Sequence, residues 1–171
     1  PQEAFSRLFN IQLDADAESY AMQFVLAEEI VLRQVLKDVL ARLQTAKGES
    51  TALLKALQKV DAEAAAPAGR AAPLSEQNVG RIERIDAQLV PAEQALRELI
   101  VQLSGGSFDK VVTQLQSLTD EHFAQAASLC ARIQLAEKPD ARAGLAEETD
   151  FQIDRAIGTV SDMLKRLEDL V

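Results

Sequence analysis

Apolar residues recur every three or four positions along nearly the whole chain, and this spacing constrains the fold more than any other sequence feature. It matches the α-helical period of about 3.6 residues, whereas the strict alternation of a half-buried strand is hard to find. Aromatic residues make up only 4% of the sequence, which is low for a β-sandwich or barrel. Ala, Leu, Glu and Gln, all strong helix formers, are abundant instead. The pattern therefore predicts an all-α protein.

A chain of 171 residues is long enough to bury a core without disulfides or a structural metal. We expect one helical-bundle domain over residues 1–171. The stretch 67–73, which contains Pro67, Gly69 and Pro73, is rich in helix breakers and is the candidate linker. The chain begins without Met and its last apolar pattern reaches the final residue, so we expect it to be part of a longer protein.

The first helices are delimited by acidic residues and by a glycine. A short amphipathic segment is predicted at 5–13, and either Asp14 or Asp16 is expected to cap a new helix after it. This first long helix is predicted over about 16–47. Lys47 and Gly48 would end it, because a basic last turn followed by glycine is typical of a helix C-terminus.

Ser50 is expected to begin a short extra helix that ends near residue 66, before the breaker-rich stretch. Ser75 is a good N-cap for the next long helix, and Gly105 ends it. The apolar rhythm continues in phase through Pro91. We therefore predict one helix, kinked at this proline, and not two separate helices.

Ser107 is expected to cap the following helix, which would end near Pro139. A loop is predicted over about 140–144. The last helix would then begin with the acidic residues Glu147, Glu148 and Asp150, which complement the positive end of a helix dipole.

Four of these predicted helices are each about 27 to 32 residues long, or about 40 to 48 Å at the α-helical rise. Short connections between them favour antiparallel neighbours. The predicted fold is therefore an elongated antiparallel four-helix bundle with an extra short helix and an N-terminal amphipathic segment.

The first long helix has more apolar surface than a one-sided helix needs. Its apolar residues spread over more than half of the circumference, whereas a stripe of about 100° is enough for a helix that packs on one side. Either the short helix at 50–66 covers the second face, or a second copy of the chain or another helical protein does. The candidate interface residues are Val31, Val35, Val39 and the i, i+4 ion pair of Glu29 and Arg33.

Arg81 and Arg84 lie one helical turn apart and form a candidate clamp for a small anionic ligand. Glu83 and Asp86 lie beside them, so the alternative is a solvated face of mixed charge.

Composition argues against several classes of function. The net charge of −9, without a basic cluster, argues against nucleic acid and anionic membranes as partners. A single Cys and a single His give too few ligands for most metal sites, and neither a glycine-rich nucleotide loop nor a catalytic set of residues is present. No apolar run has the length of a membrane span. We therefore expect no cofactor and no enzymatic activity, in a soluble cytoplasmic or periplasmic domain.

Long amphipathic helices without a catalytic set are typical of proteins that relay or assemble. We expect a non-catalytic signalling module, namely a sensory or dimerisation domain of a larger, bacterial-type signal-transduction protein. The alternative is a soluble adaptor or scaffold that binds partner helices through an exposed apolar helix face.

Overall fold

The computed structural model describes residues 2–63 and 73–169, and all the regular secondary structure within these ranges is helical. The prediction of an all-α protein is confirmed. The elements are α1 (Gln2–Glu63), α2 (Glu76–Leu103), α3 (Asp109–Ser117), a π-helical turn (Leu118–Phe123), α4 (Ala124–Leu135) and α5 (Pro139–Asp169). Most of the predicted linker, residues 67–72, lies outside the described residues, and Pro73 is exposed.

The chain divides into two compact units, Pro1–Gln34 and Val35–Val171. The described part of the first unit belongs to α1. The second unit contains the remainder of α1 together with α2 to α5. Our expectation of one domain stays a prediction. Within the described ranges, none of the helices combines the length and the hydropathy that crossing a bilayer requires.

Two predicted breaks in α1 are wrong. The helix is continuous past Asp14 and Asp16 and past Gly48. Residues 50–63 continue α1 and do not form a separate short helix. Glycine inside a helix costs about 1 kcal/mol relative to alanine. Burial of the side chains on either side offsets this cost, because three neighbouring apolar positions are fully covered. These are Leu43, Ala46 and Leu53.

The boundaries of α2 follow the sequence signals. Ser75 is the N-cap, and its hydroxyl accepts a hydrogen bond of 3.2 Å from the backbone N–H of Asn78. The helix passes through Pro91 without ending, as its apolar phase predicted. It stops before Gly105, which adopts a φ of +79° that a residue with a side chain rarely tolerates.

The segment 107–144 differs from the prediction in three places. Phe108, and not Ser107, occupies the N-cap position of α3, and no side chain caps this helix. The predicted long helix is divided by the π-helical turn. The predicted loop at 140–144 is helical, because α5 begins at Pro139, a residue whose fixed φ suits the first helical position.

In the second unit, α2 packs against α3, the π-helical turn and α4, while α4 packs against α5. Side chains of α1 bond to both α2 and α5. From Glu49 to Arg42 along α1, the partners on α2 advance from Arg84 to Gln88. The largest fully buried side chains form the core of this unit. They include Leu36, Leu43, Leu53, Ile82, Ile85, Leu96, Leu99, Leu103, Leu115, Leu118 and Phe123.

Candidate functional site

Three large apolar side chains are exposed along one face of α1 in the first unit. Met22 is 69% exposed, Leu26 54% and Ile30 68%. They are spaced four residues apart, so at about 100° per residue they span only about 80° of the helix circumference. We call these three residues the apolar stripe. Single exposed apolar side chains are common on proteins, whereas an aligned group of them is a candidate contact surface.

The predicted ion pair between Glu29 and Arg33 is present beside this stripe. Arg33 Nη2 lies 2.6 Å from Glu29 Oε1, and both side chains are half-buried. The pair places one positive and one negative charge next to exposed apolar surface.

The three valines of the predicted interface do not share an accessible face. Val31 is exposed, Val35 is half-buried and Val39 is buried in the core of the second unit. Met22, Leu26 and Ile30 are more exposed than Val31, which is 41% exposed. The helical period had placed these residues in the same broad apolar arc as the valines, but it gave no signal of which side is covered.

The structure brings Arg81 and Arg84 to different partners. Arg81 Nη1 donates to Asn78 Oδ1 over 2.8 Å. The Arg84 fork donates from Nε and Nη2 to the two carboxylate oxygens of Glu49 over 2.9 and 3.1 Å. The Arg84 guanidinium therefore already holds a carboxylate, and its pair with Glu49 connects α2 to α1.

A second polar contact connects α1 to α5. Asp150 accepts hydrogen bonds from Lys47 Nζ over 2.8 Å and from Thr51 Oγ1 over 3.0 Å. Asp154, one turn further on, lies 3.5 Å from the same Lys47 ammonium. The sequence had suggested that Asp150 stabilises a helix start. This prediction is wrong, because α5 begins eleven residues earlier at Pro139.

The π-helical turn positions the single histidine. Thr119, buried in this turn, donates from its hydroxyl to the Gln116 carbonyl over 2.9 Å. His122 Nδ1 lies 2.8 Å from Gln152 Oε1, and Gln152 Nε2 donates to Glu148 Oε1 over 3.0 Å. π-Helical turns occur preferentially at functional sites, and no sequence signal had predicted this one.

Cys130 is fully buried and has no nucleophilic role in this environment. Burial, together with the charge and the hydrogen bond of Asp86, raises the pKa of the Cys130 thiol to about 12. The thiol therefore stays protonated at neutral pH. Among the described residues, no group of three or more His, Cys, Asp or Glu side chains is arranged to hold a metal ion.

No family model matches the sequence, and no solved structure matches it. Part of the chain is similar to alanine–tRNA ligases of Neisseria meningitidis. It is 33% identical to the ligase of serogroup C / serotype 2a over 111 residues, which cover 65% of this chain and 12% of the ligase. It is 35% identical to another serogroup C ligase over 100 residues, which cover 58% of this chain and 11% of the ligase. The matched stretch thus spans about an eighth of these relatives.

Proposed function

We propose that the chain is a non-catalytic helical signalling module that forms a homodimer through the apolar stripe of α1. The observation that carries this proposal is the exposure of Met22, Leu26 and Ile30 at a spacing of four residues. Rows of residues four apart form the ridges that most often interdigitate when two helices pack. Burying one such side chain contributes about 1.5 to 3 kcal/mol, so three of them on each copy supply a substantial driving force.

A second copy of the chain is the occupant that a self-complementary face favours. In a twofold dimer the same face meets itself, and each apolar side chain finds a partner of the same kind. Glu29 and Arg33, which pair with one another beside the stripe, carry opposite charges. Each residue of the pair therefore has a complementary charge on the other copy.

We infer further that the second unit is an antiparallel four-helix bundle made of α1, α2, α5 and the run from α3 to α4. Two contacts between α1 and α2, Glu49–Arg84 and Arg42–Gln88, support this arrangement. The residue numbers fall along α1 while those of the partners on α2 rise, as antiparallel helices require. Because α1 contributes residues to both units, dimerisation through the first unit acts on a helix that also belongs to the core of the second. This is the property that we expect of a sensory or dimerisation domain.

Sedimentation equilibrium of the purified chain tests the dimer. We expect a concentration-dependent dimer, and we expect Leu26→Glu or Ile30→Glu to weaken it at least about tenfold, the equivalent of 1.4 kcal/mol. Leu135→Glu is the matched control, because Leu135 is 80% exposed at the end of α4 and belongs to the second unit, not to the stripe. Circular dichroism melting of all variants checks that they fold.

A chain that stays monomeric at every concentration would contradict the dimer and would favour the alternative, an adaptor whose stripe receives a helix of another protein. Stripe variants that dimerise as the wild type does would place the interface elsewhere. The similarity to alanine–tRNA ligases supports no proposal of ligase activity, because the matched stretch is only 11 to 12% of those enzymes.

A further inference from the structure

A groove of about 210 Å³ lies between α5 and the run formed by α3 and the π-helical turn. Two buried apolar side chains, Leu118 and Met163, contribute to it. Its polar lining includes an imidazole, a carboxylate and a guanidinium, which belong to His122, Asp162 and Arg166. If each water takes up about 30 Å³, the space equals about seven waters, which suits a small organic molecule.

Asp162 and Arg166 are oppositely charged, lie one turn apart on α5 and line the groove together. An acid four residues before a base is the order that favours an ion pair on a helix. The pair is nevertheless not formed, and within the part of the chain that the structure describes neither side chain has another ion-pair partner. The carboxylate and the guanidinium are both available to a ligand.

The hydrogen bonds of Gln152 fix the orientation of His122. The Glu148 carboxylate only accepts hydrogen bonds, so the amide nitrogen of Gln152 faces it and the amide oxygen faces the imidazole ring. Nδ1 of His122 is therefore the donor in this hydrogen bond, and in the tautomer that carries its proton on Nδ1 alone Nε2 is an acceptor. Among the described residues Nε2 has no hydrogen-bond partner.

We propose that this groove binds a small zwitterion of the α-amino acid class. Arg166 receives the carboxylate, because a guanidinium donates two parallel hydrogen bonds to it. Asp162 and the Nε2 acceptor of His122 receive the ammonium group. Leu118 and Met163 contact a short aliphatic side chain. A simple anion would satisfy Arg166 but would lie next to the Asp162 carboxylate, so the groove favours a ligand that carries both charges.

Isothermal titration calorimetry on the full chain tests the proposal with L-valine and two analogues of the same shape. Isovalerate lacks the ammonium group, and isobutylamine lacks the carboxylate. We expect L-valine to bind and each analogue to bind at least about tenfold more weakly. Equal binding of L-valine and isovalerate would overturn the proposal in favour of an anion site. Absence of binding by glycine, L-alanine and L-valine alike would also overturn it.

Charge-neutral variants assign the roles of the two charged residues. Arg166→Gln and Asp162→Asn should each weaken L-valine binding at least about tenfold. Lys165→Gln and Glu168→Gln are the matched controls, since both residues are exposed on α5 and neither lines the groove. Controls that weaken binding as much as the groove variants would overturn the assignment. Circular dichroism melting verifies that each variant is folded.

The proposed amino acid site is independent of the proposed dimer. The groove residues belong to the second unit, and the apolar stripe belongs to the first. Leu26→Glu should therefore retain L-valine binding even where it abolishes dimerisation. The failure of either proposal is thus distinguishable from the failure of the other.

Discussion

Asp150 combines partial burial with two hydrogen bonds to another helix. Its side chain is 17% exposed, and the Lys47 ammonium and the Thr51 hydroxyl both donate to it. Hydrogen bonds that involve a charged group contribute about 1.5 to 3 kcal/mol when they are shielded from water. Asp154 contacts the same ammonium at 3.5 Å, but its side chain is 66% exposed. We therefore expect Asp150 to contribute more to the stability of the fold than Asp154, because it is more buried and lies closer to the Lys47 ammonium.

We predict that Asp150→Ala lowers the free energy of unfolding by about 1 to 3 kcal/mol, because it leaves the Lys47 and Thr51 donors without this acceptor. Asp154→Ala should cost less than about 1 kcal/mol, as expected for an exposed ion pair. Urea denaturation followed by circular dichroism measures both changes. Equal losses in the two variants would show that the short contacts of Asp150 add nothing beyond surface electrostatics.

At the scale of the helix, Gly48 shows how packing overrides a local stop signal. The residue lies inside α1, its φ is not positive, and a Cβ added there would meet nothing within 4 Å. Gly105 also has open space around it, but its φ of +79° is unfavourable for any residue with a side chain. The two glycines thus differ in backbone conformation and not in crowding.

We predict that Gly48→Ala raises the free energy of unfolding by about 0.5 to 1 kcal/mol, because alanine loses less backbone entropy in a helix. Gly105→Ala should lower it by about 1 to 2 kcal/mol, because alanine is strained in the left-handed region. Thermal melting of the two variants provides the measurement. A loss of stability in Gly48→Ala would contradict this prediction, because it would mean that another group lies too close to Gly48 to leave room for a methyl group.

The sequence could predict features that depend on the local backbone, but not those that depend on packing between helices. The signals at Ser75 and Gly105 depend on the local backbone alone, so they located both ends of α2. The apolar phase likewise showed that the helix continues through Pro91. Continuity through Gly48 depends on how its neighbours pack, which local signals do not contain. The π-helical turn likewise has no characteristic amino-acid composition from which the sequence could predict it.

The candidate sites divide in the same way. The Glu29–Arg33 ion pair lies within one helix, so its spacing alone predicted it. The Lys47–Asp150 contact joins residues 103 positions apart, and the bond between His122 and Gln152 joins residues 30 apart. Such contacts depend on the relative register of two helices. Periodicity shows which face of a helix is apolar but not which residue of a neighbour lies opposite.

At the scale of the whole molecule, the proposed dimer opposes the net charge of the chain. Each copy carries −9, so two copies repel one another as they approach. The apolar stripe supplies attraction that salt does not screen. Raising the ionic strength from about 0.01 M to about 0.1 M shortens the Debye length from about 30 Å to about 10 Å. Over this range salt removes repulsion and leaves the apolar contribution in place.

We therefore predict that the dimer dissociation constant falls severalfold as NaCl increases over this range, measured by sedimentation equilibrium at fixed pH. An interface held mainly by cross-dimer pairs of Glu29 and Arg33 would respond in the opposite way, because screening weakens exposed ion pairs. Arg33→Gln separates the two contributions. If the apolar stripe dominates, this variant still dimerises and its dissociation constant still falls with salt, whereas loss of the dimer would assign the interface to the ion pair.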